Sequence, residues 1–169
     1  MKIPTAILLF LLFYQCSIGQ QLDFDKIQFR GLHFFSTKSQ IIKTLGNPNQ
    51  EFEPQYDCGG LSEAWQGAKY YTLKYQNVKF TGNNNEKYLI EEVDFKNESS
   101  VVLLYEDHIL NRETTVEELV ELFGRQIKEQ INQGQGNGQF TVLHEIRDDG
   151  IILETKDGKL IRFRYWTAC

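Results

Sequence analysis

Two short segments with the same start and stop signals constrain the fold of this chain more than any other feature of its sequence. Thr37 and Gln40 have the T-x-x-Q spacing of a capping box, in which each side chain satisfies a backbone group at the first turn of a helix. Positions 41–45 place three aliphatic residues on one helical face. Gly46 then supplies the usual stop, and Pro48 prevents continuation, so a short amphipathic helix is predicted.

The same pattern recurs 78 residues further along the chain. A second capping box joins Thr115 to Glu118, an apolar face follows, and Gly124 ends the segment. The corresponding positions are Thr37 and Thr115, Gln40 and Glu118, Ile41 and Leu119, Ile42 and Val120, Leu45 and Phe123, and Gly46 and Gly124. Because both caps coincide as well as the apolar face, we interpret the two segments as an internal repeat.

Alternating apolar residues and turn residues predict strands after each helix. Strands are expected at 71–75, 78–80 and 88–95, and again at 140–146, 151–155 and 160–166, where Asp157-Gly158 is a strong hairpin signal. Helices followed by hairpin-connected strands are typical of the α+β class. We therefore predict two tandem units, residues 20–107 and 108–169, each a short helix followed by an antiparallel sheet of three to four strands.

The N-terminus has the features of a signal peptide covering residues 1–19. Lys2 is followed by an apolar stretch at positions 6–14 and by small residues before Gly19, where we expect cleavage. The apolar stretch is shorter than the roughly 20 residues that a membrane span needs, so no transmembrane segment is expected after cleavage. Bulky and polar residues before Cys16 argue against lipid attachment there. The predicted location is secreted or periplasmic.

Charge excludes several classes of partner. The chain has 18 basic and 23 acidic residues, a net charge of −5, and loss of Lys2 with the signal peptide makes it −6. A nucleic-acid-binding protein usually carries a basic surface, and an anionic membrane attracts basic proteins. We therefore expect neither partner.

Two cysteines, Cys58 and Cys169, remain after signal cleavage. In an exported protein two cysteines are most simply explained by one disulfide. The alternative is that Cys58 is a reactive thiol paired with His108 or His144 in an exported hydrolase. Asn97 begins a glycosylation sequon, which matters only in a eukaryotic secretory pathway.

Other catalytic and cofactor motifs fail on spacing. His144-Glu145 begins like a zinc-protease motif, but position 148 is aspartate and the segment is predicted as a strand. The glycines at 134, 136 and 138 precede a strand instead of a helix, which is the wrong context for a phosphate loop. Alternation places Glu91 and Glu92 on opposite faces of a strand, so they are not a catalytic pair. We expect no metal, no cofactor and no enzymatic activity.

The first helix carries a family resemblance. The segment TKSQIIKTLGNP at positions 37–48 resembles the T-x-x-Q-[VI]-x-x-x-L-G-x-P helix of the small outer-membrane-assembly lipoproteins. The β-lactamase-inhibitory proteins share that helix-then-sheet fold in two tandem copies. The resemblance implies two α–β units whose sheets join into one broad face that binds another protein. It transfers no functional residues, because the matching positions are structural, and Phe35 stands where the family usually has glycine.

The last strand offers the best candidates for such a binding face. Alternation directs Ile161, Phe163 and Tyr165 to the core, and it leaves a second set of three residues on the opposite face. The candidate binding residues are Arg162, Arg164 and Trp166 on this strand, with Trp65, Tyr70 and Lys74 from the first unit, which we expect to be exposed. Arginine and tryptophan are enriched at interface hot spots. The predicted function is protein–protein recognition of the inhibitor, immunity or envelope-assembly type, and the alternatives are the hydrolase and a small-ligand binder.

Overall fold

The computed structural model describes residues 22–56, 59–133 and 138–169. The predicted signal peptide, Cys58 and the glycine-rich segment at 134–137 lie outside the described residues. The described chain combines short helices with antiparallel sheets, which confirms the predicted α+β class.

The helices form where their capping signals predict them. The four helices are α1 (Lys38–Leu45), α2 (Glu63–Gln66), α3 (Val116–Phe123) and α4 (Arg125–Asn132). Thr37 and Thr115 each form a complete capping box, and Gly46 and Gly124 follow the last residues of α1 and α3. A short 3-10 turn at Phe24–Lys26 precedes the first strand.

Two hairpins precede the capped helices and together form a small antiparallel sheet. Its strands are β1 (Ile27–Phe29), β2 (Leu32–His33), β8 (Leu103–Tyr105) and β9 (His108–Leu110), in the order β2-β1-β8-β9. The inner strands β1 and β8 pair with each other, with Gln28 opposite Leu104. The two hairpins are thereby joined edge to edge.

A larger antiparallel sheet contains the remaining strands. They are β3 (Phe35–Ser36), β4 (Gln50–Phe52), β5 (Tyr71–Lys74), β6 (Val78–Gly82), β7 (Tyr88–Asp94), β10 (Gln139–Leu143), β11 (Asp149–Lys156) and β12 (Lys159–Thr167). The order is β10-β11-β12-β7-β6-β5-β4, and β3 pairs with the beginning of β7. The predicted hairpin at Asp157-Gly158 is confirmed, since both residues have positive φ between β11 and β12.

The two halves of this sheet meet at a short seam between β7 and β12. Only three residue pairs join them, with Val93 opposite Phe163 at the centre. Beyond the seam each strand forms hydrogen bonds with a different segment. In β7 the N–H of Ile90 donates to the carbonyl oxygen of Phe34 at 3.0 Å, and in β12 the N–H of Leu160 donates to that of Thr114 at 2.8 Å. The strands therefore separate at both ends of the seam.

Two β-bulges change the faces predicted for β7 and β12. The pairing of β6 with β7 shifts so that Glu91 is an extra residue, and the pairing of β11 with β12 shifts so that Ile161 is extra. An extra residue reverses the alternation beyond it. The predicted core position of Ile161 is therefore wrong: Leu160 and Phe163 are buried there, and Ile161 is half-buried.

The same effect in β7 overturns two consequences of regular alternation, which would put Leu89 on the face of Val93 and separate Glu91 from Glu92. Ile90 and Val93 are fully buried, whereas Leu89 pairs with Phe35 and Thr81 on the other face of the sheet. Leu89 therefore does not share a face with Val93. Glu91 and Glu92 were predicted on opposite faces, but the bulge brings both to one cleft.

One continuous core lies between the inner face of the large sheet, the helices and the small sheet. Its cluster joins Ile41 from α1 and Leu119 from α3 to Phe80, Val93 and Phe163 from the large sheet. Each of these five side chains is completely buried. Residues from all the layers share this cluster, so the described chain packs around a single core.

Candidate functional site

The strand register places several predicted binding residues on the face of the large sheet opposite this core. Lys74 lies opposite Lys79, Lys79 opposite Glu92, and Glu92 opposite Arg164. Directly opposed residues in antiparallel strands point to the same face. We call this the outer face, and it also presents Asp94, Glu154, Arg162 and Trp166.

Ion pairs hold the two arginines of the outer face. The Glu154 carboxylate lies 3.3 Å from Arg162 and 2.8 Å from Arg164, and Arg162 also lies 3.6 Å from Asp94. Lys79 pairs with Glu92 at 3.2 Å. Partly exposed pairs each contribute less than about 1 kcal/mol. Their main effect here is to fix the guanidinium groups in position on β12.

A cleft opens on the outer face where β12 separates from β7. Its volume is about 250 Å³. We call it the outer cleft, and its lining residues are Tyr56, Gly60, Leu61, Leu89, Glu91, Glu92, Arg164, Tyr165, Trp166 and Thr167. The loop after β4 therefore forms one wall, and the diverging strands form the other.

Glu91 lies in this cleft and is held by neutral donors. The Tyr56 hydroxyl donates to Glu91 Oε1 at 2.9 Å, and the Thr81 hydroxyl donates to Oε2. The Thr81 hydroxyl also forms a hydrogen bond with the Thr72 hydroxyl, with 2.6 Å between the two oxygens. Burial, followed by the charge of Glu91, raises the pKa of Tyr56 above its ordinary value, so its hydroxyl stays protonated and remains a donor.

A buried hydrogen-bonded group supports the opposite wall of the cleft. The Tyr165 hydroxyl donates to Asp149 Oδ2 at 3.0 Å, and Arg147 pairs with the same oxygen at 2.7 Å. The Arg147 guanidinium lies 5.5 Å from the centre of the Phe24 ring, and that ring also packs against Tyr165. These contacts fix the end of β12 beside the cleft.

The structure separates the six predicted binding residues. Arg164 and Trp166 line the outer cleft, and Arg162 and Lys74 lie elsewhere on the outer face. Trp65 is on α2 and half exposed. Tyr70 is buried, with its hydroxyl donating to Glu86 at 2.9 Å, so the expectation that Tyr70 is exposed is wrong.

The histidines are placed without a catalytic partner in the described residues. His108 is exposed at the start of β9, and the His144 ring stacks on Phe24 with 5.6 Å between ring centres. Cys58 lies outside the described residues. In residues 22–56, 59–133 and 138–169, no three His, Cys, Asp or Glu side chains are grouped to hold a metal ion.

The chain next to Cys58 contacts the C-terminus. A Cβ atom added to Gly59 would lie 2.7 Å from the carbonyl oxygen of Ala168 and 3.5 Å from Cα of Cys169. Gly59 also has a positive φ of 64°, which favours glycine. The predicted disulfide between Cys58 and Cys169 stays a prediction, and this contact is compatible with it.

Sequence reasoning named only Arg164 and Trp166 of the ten lining residues as binding residues, so it missed eight, among them Tyr56, Leu61, Leu89 and Glu91. The bulge that turns Glu91 into the cleft does have a sequence signal. Ile90, Val93 and Phe95 are apolar residues spaced by three and then two, and Leu160, Phe163 and Tyr165 repeat this spacing in β12. A regular strand would keep a spacing of two throughout.

Comparisons of this chain with protein-family models, with curated proteins and with solved structures find no match. Within the part of the chain that the structure describes, no helix has the length and apolar character needed to cross a membrane. The candidate site therefore has to be interpreted from its own geometry.

Proposed function

We propose that this chain is an exported, non-enzymatic binding protein that recognises another protein through the outer face. The observation that carries the proposal is the outer cleft, where Trp166 lies beside arginines held in place by Glu154. Tryptophan and arginine dominate binding energy at protein interfaces because they combine large contact area with directed hydrogen bonds. Side chains held in place before binding lose little entropy when a partner docks.

We further propose that the chain consists of two tandem units related by the repeat. The strand order supports this, because β7 and β12, the last strands of the two units, pair at the seam. The hairpin strands β1 and β8 likewise pair with each other. This arrangement moves the boundary predicted between residues 107 and 108 to a point before β8, so that the whole β8–β9 hairpin belongs to the second unit. The joined sheets would form the broad face that the resemblance to β-lactamase-inhibitory proteins implies.

The bulges support the same repeat independently of the helices. Glu91 and Ile161 are the extra residues of β7 and β12, and they are 70 positions apart. The seam pair Val93 and Phe163 has the same separation. An irregularity shared at one register position is harder to explain by chance than a shared helical period.

The proposed location is secreted or periplasmic. It depends on the signal-peptide pattern at residues 1–19 and is consistent with a disulfide between Cys58 and Cys169. The contact of Gly59 with Ala168 supports this pairing, because it brings the neighbours of both cysteines together.

A comparison of baits tests the proposed function. The chain from residue 20 is immobilised through an N-terminal tag and exposed to the envelope and medium proteins of its source organism. Trp166→Ala removes the aromatic side chain from the outer cleft, and Ile109→Ala removes an exposed apolar side chain from the small sheet as the matched control. We expect a partner retained by the wild type and by Ile109→Ala but lost from Trp166→Ala.

Two results would contradict the proposal. Either no protein is retained by the wild-type bait, or every retained protein also binds Trp166→Ala with unchanged affinity. Urea unfolding of each variant separates loss of binding from loss of fold.

A further inference from the structure

Glu91 is the one carboxylate of the outer cleft whose charge no cation in the described residues balances. Glu92 pairs with Lys79, and the neighbouring Asp94 and Glu154 pair with the arginines of β12. Glu91 instead accepts hydrogen bonds from two neutral hydroxyls, those of Tyr56 and Thr81. These bonds orient the carboxylate and leave its negative charge available to a ligand.

Aromatic side chains share the outer cleft with this carboxylate. Tyr56, Tyr165 and Trp166 line the same cleft as Glu91. The faces of aromatic rings attract cations, most strongly when water is partly excluded. A carboxylate beside aromatic rings is therefore suited to an ammonium or guanidinium group, which would gain a charge-assisted hydrogen bond and ring contacts together.

We propose that the outer cleft binds a lysine or arginine side chain of the partner protein, with Glu91 as its carboxylate acceptor. This inference rests on the proposed function, since it names the chemistry of the partner that the outer face recognises. The net charge of −5 favours the approach of a cationic partner over long distances.

The positive charge of Arg164 does not make the cleft an anion site. One of its two terminal nitrogens is paired with Glu154 at 2.8 Å, and its Nε atom is buried and inaccessible to a ligand. The carboxylate of Glu154 on β11 thereby offsets the charge of Arg164. The uncompensated charge facing the cleft is that of Glu91.

The other end of the seam has the opposite character. Ile161, which takes the position of Glu91 in the second strand, lines a separate cleft with Lys96, Arg112, Lys156, Asp157 and Lys159. Four cationic side chains and one carboxylate give this lining a net positive charge, which disfavours a lysine or arginine. Of the two clefts at the ends of the seam, the outer cleft is therefore the one that suits a cationic side chain.

Peptide titration tests the inference. A short alanine peptide with one central lysine is added to the full mature chain, and the indole N–H signals of Trp166 and Trp65 are followed by NMR. The same peptide with norleucine in place of lysine is the uncharged ligand control. We expect the lysine peptide to shift Trp166 more than Trp65 with millimolar affinity, and the norleucine peptide to have no effect.

Two variants locate the binding. Glu91→Gln keeps the shape and an acceptor for Tyr56 but removes the charge, and we expect it to weaken lysine-peptide binding by about tenfold or more. Glu121→Gln removes an exposed carboxylate from α3 and serves as the matched control, with unchanged affinity expected. Equal binding by wild type and Glu91→Gln, or binding of the norleucine peptide, overturns the inference, and so does the absence of lysine-peptide binding to the wild type.

Two further measurements separate this inference from the proposed function. If butylammonium chloride binds as tightly as the lysine peptide, the site is a small-amine site, and its assignment to a partner protein is overturned. If the captured partner is lost from Trp166→Ala but retained by Glu91→Gln, the proposed function stands and the cation site fails.

Discussion

At the scale of single residues, burial raises the pKa of several tyrosine hydroxyls. Burial raises the pKa of Tyr88 to about 12, and it raises those of Tyr56 and Tyr165 further, with nearby carboxylates adding to the effect. A phenolate loses its hydration inside a protein, so the neutral form is favoured. Tyr56 and Tyr165 therefore act as permanent hydrogen-bond donors around the outer cleft at ordinary pH.

These shifts make the folded state sensitive to alkali. A pKa that is higher in the folded than in the unfolded chain stabilises the fold below the unfolded value of 10.0 and loses that contribution as pH rises toward the folded value. For Tyr88 the loss begins near pH 10 and continues to about pH 12. The Tyr88→Phe variant keeps the buried ring and removes the titrating group.

We expect the free energy of unfolding of Tyr88→Phe to fall less than that of wild type between pH 8 and pH 11, by about 1.4 kcal/mol. Urea unfolding at both pH values measures the difference. The Ile109→Ala variant provides a control, since it removes an exposed apolar side chain and changes no titrating group. Identical pH dependence in wild type and Tyr88→Phe would show that burial of Tyr88 does not cause the loss of stability at alkaline pH.

At the scale of elements, helix α4 closes one edge of the large sheet with side chains. Gln126 donates to the carbonyl oxygen of Leu143 and accepts from its N–H, at 3.1 and 2.7 Å. Gln130 does the same at Thr141, at 2.7 and 2.8 Å. The two glutamines thereby occupy the hydrogen-bonding groups that a further strand would use.

Replacing both glutamines by alanine should destabilise the fold and expose the β10 edge. Four hydrogen bonds to the β10 backbone are lost, together with the one that Gln130 donates to the carbonyl oxygen of Gln126. We expect a decrease of about 2–6 kcal/mol in the free energy of unfolding, since each of the four bonds to the strand contributes roughly 0.5–1.5 kcal/mol. Helix propensity does not account for the loss, because alanine is the stronger helix former. Urea unfolding and light scattering measure stability and self-association.

The control for that variant is Lys128→Ala, which lies exposed on the same helix. It should leave stability within about 0.5 kcal/mol of wild type and scattering unchanged. If the double glutamine variant behaves like this control, the side-chain contacts do not protect the edge.

Prediction from sequence succeeded for the elements whose signals are local. The capping boxes at Thr37 and Thr115 and the hairpin at Asp157-Gly158 depend on residues within four positions of each other.

Prediction failed where a strand's neighbour is distant in sequence. Glu91 is an extra residue because of the way β7 pairs with β6. Its position also depends on the change of neighbour along β7, which pairs with β12 at one end and with β3 at the other. Simple alternation places Leu89 on the same face as Val93, and Ile161 on the same face as Phe163, because it assumes an unbroken pleat. The outer cleft follows from these two irregularities, so alternation alone could not locate it.

At the scale of the whole molecule, the predicted disulfide would connect the loop over the outer cleft to the end of β12. Gly59 already contacts the C-terminal residues, and Gly60 lies against the Tyr56 ring, where a Cβ atom would approach to 2.6 Å. A bond between Cys58 and Cys169 would thus anchor one wall of the cleft to the other.

We expect non-reducing peptide mapping of the mature chain to recover a peptide pair joined through Cys58 and Cys169. Reduction should lower the free energy of unfolding by up to about 4–5 kcal/mol, since the bond closes a loop of more than 100 residues. The Cys169→Ser variant should match the reduced wild type and be insensitive to reductant. Free thiols in the native mature protein would contradict the disulfide.

The difference between Glu91 and Ile161 has a consequence for stoichiometry. Two related clefts at the ends of one seam could have bound two copies of the same ligand. An acidic group in one and four cations around the other make the two sites chemically unequal. One chain should accordingly bind one partner in a single orientation, and a titration that reaches a second equivalent of the same cationic peptide would point to a site elsewhere.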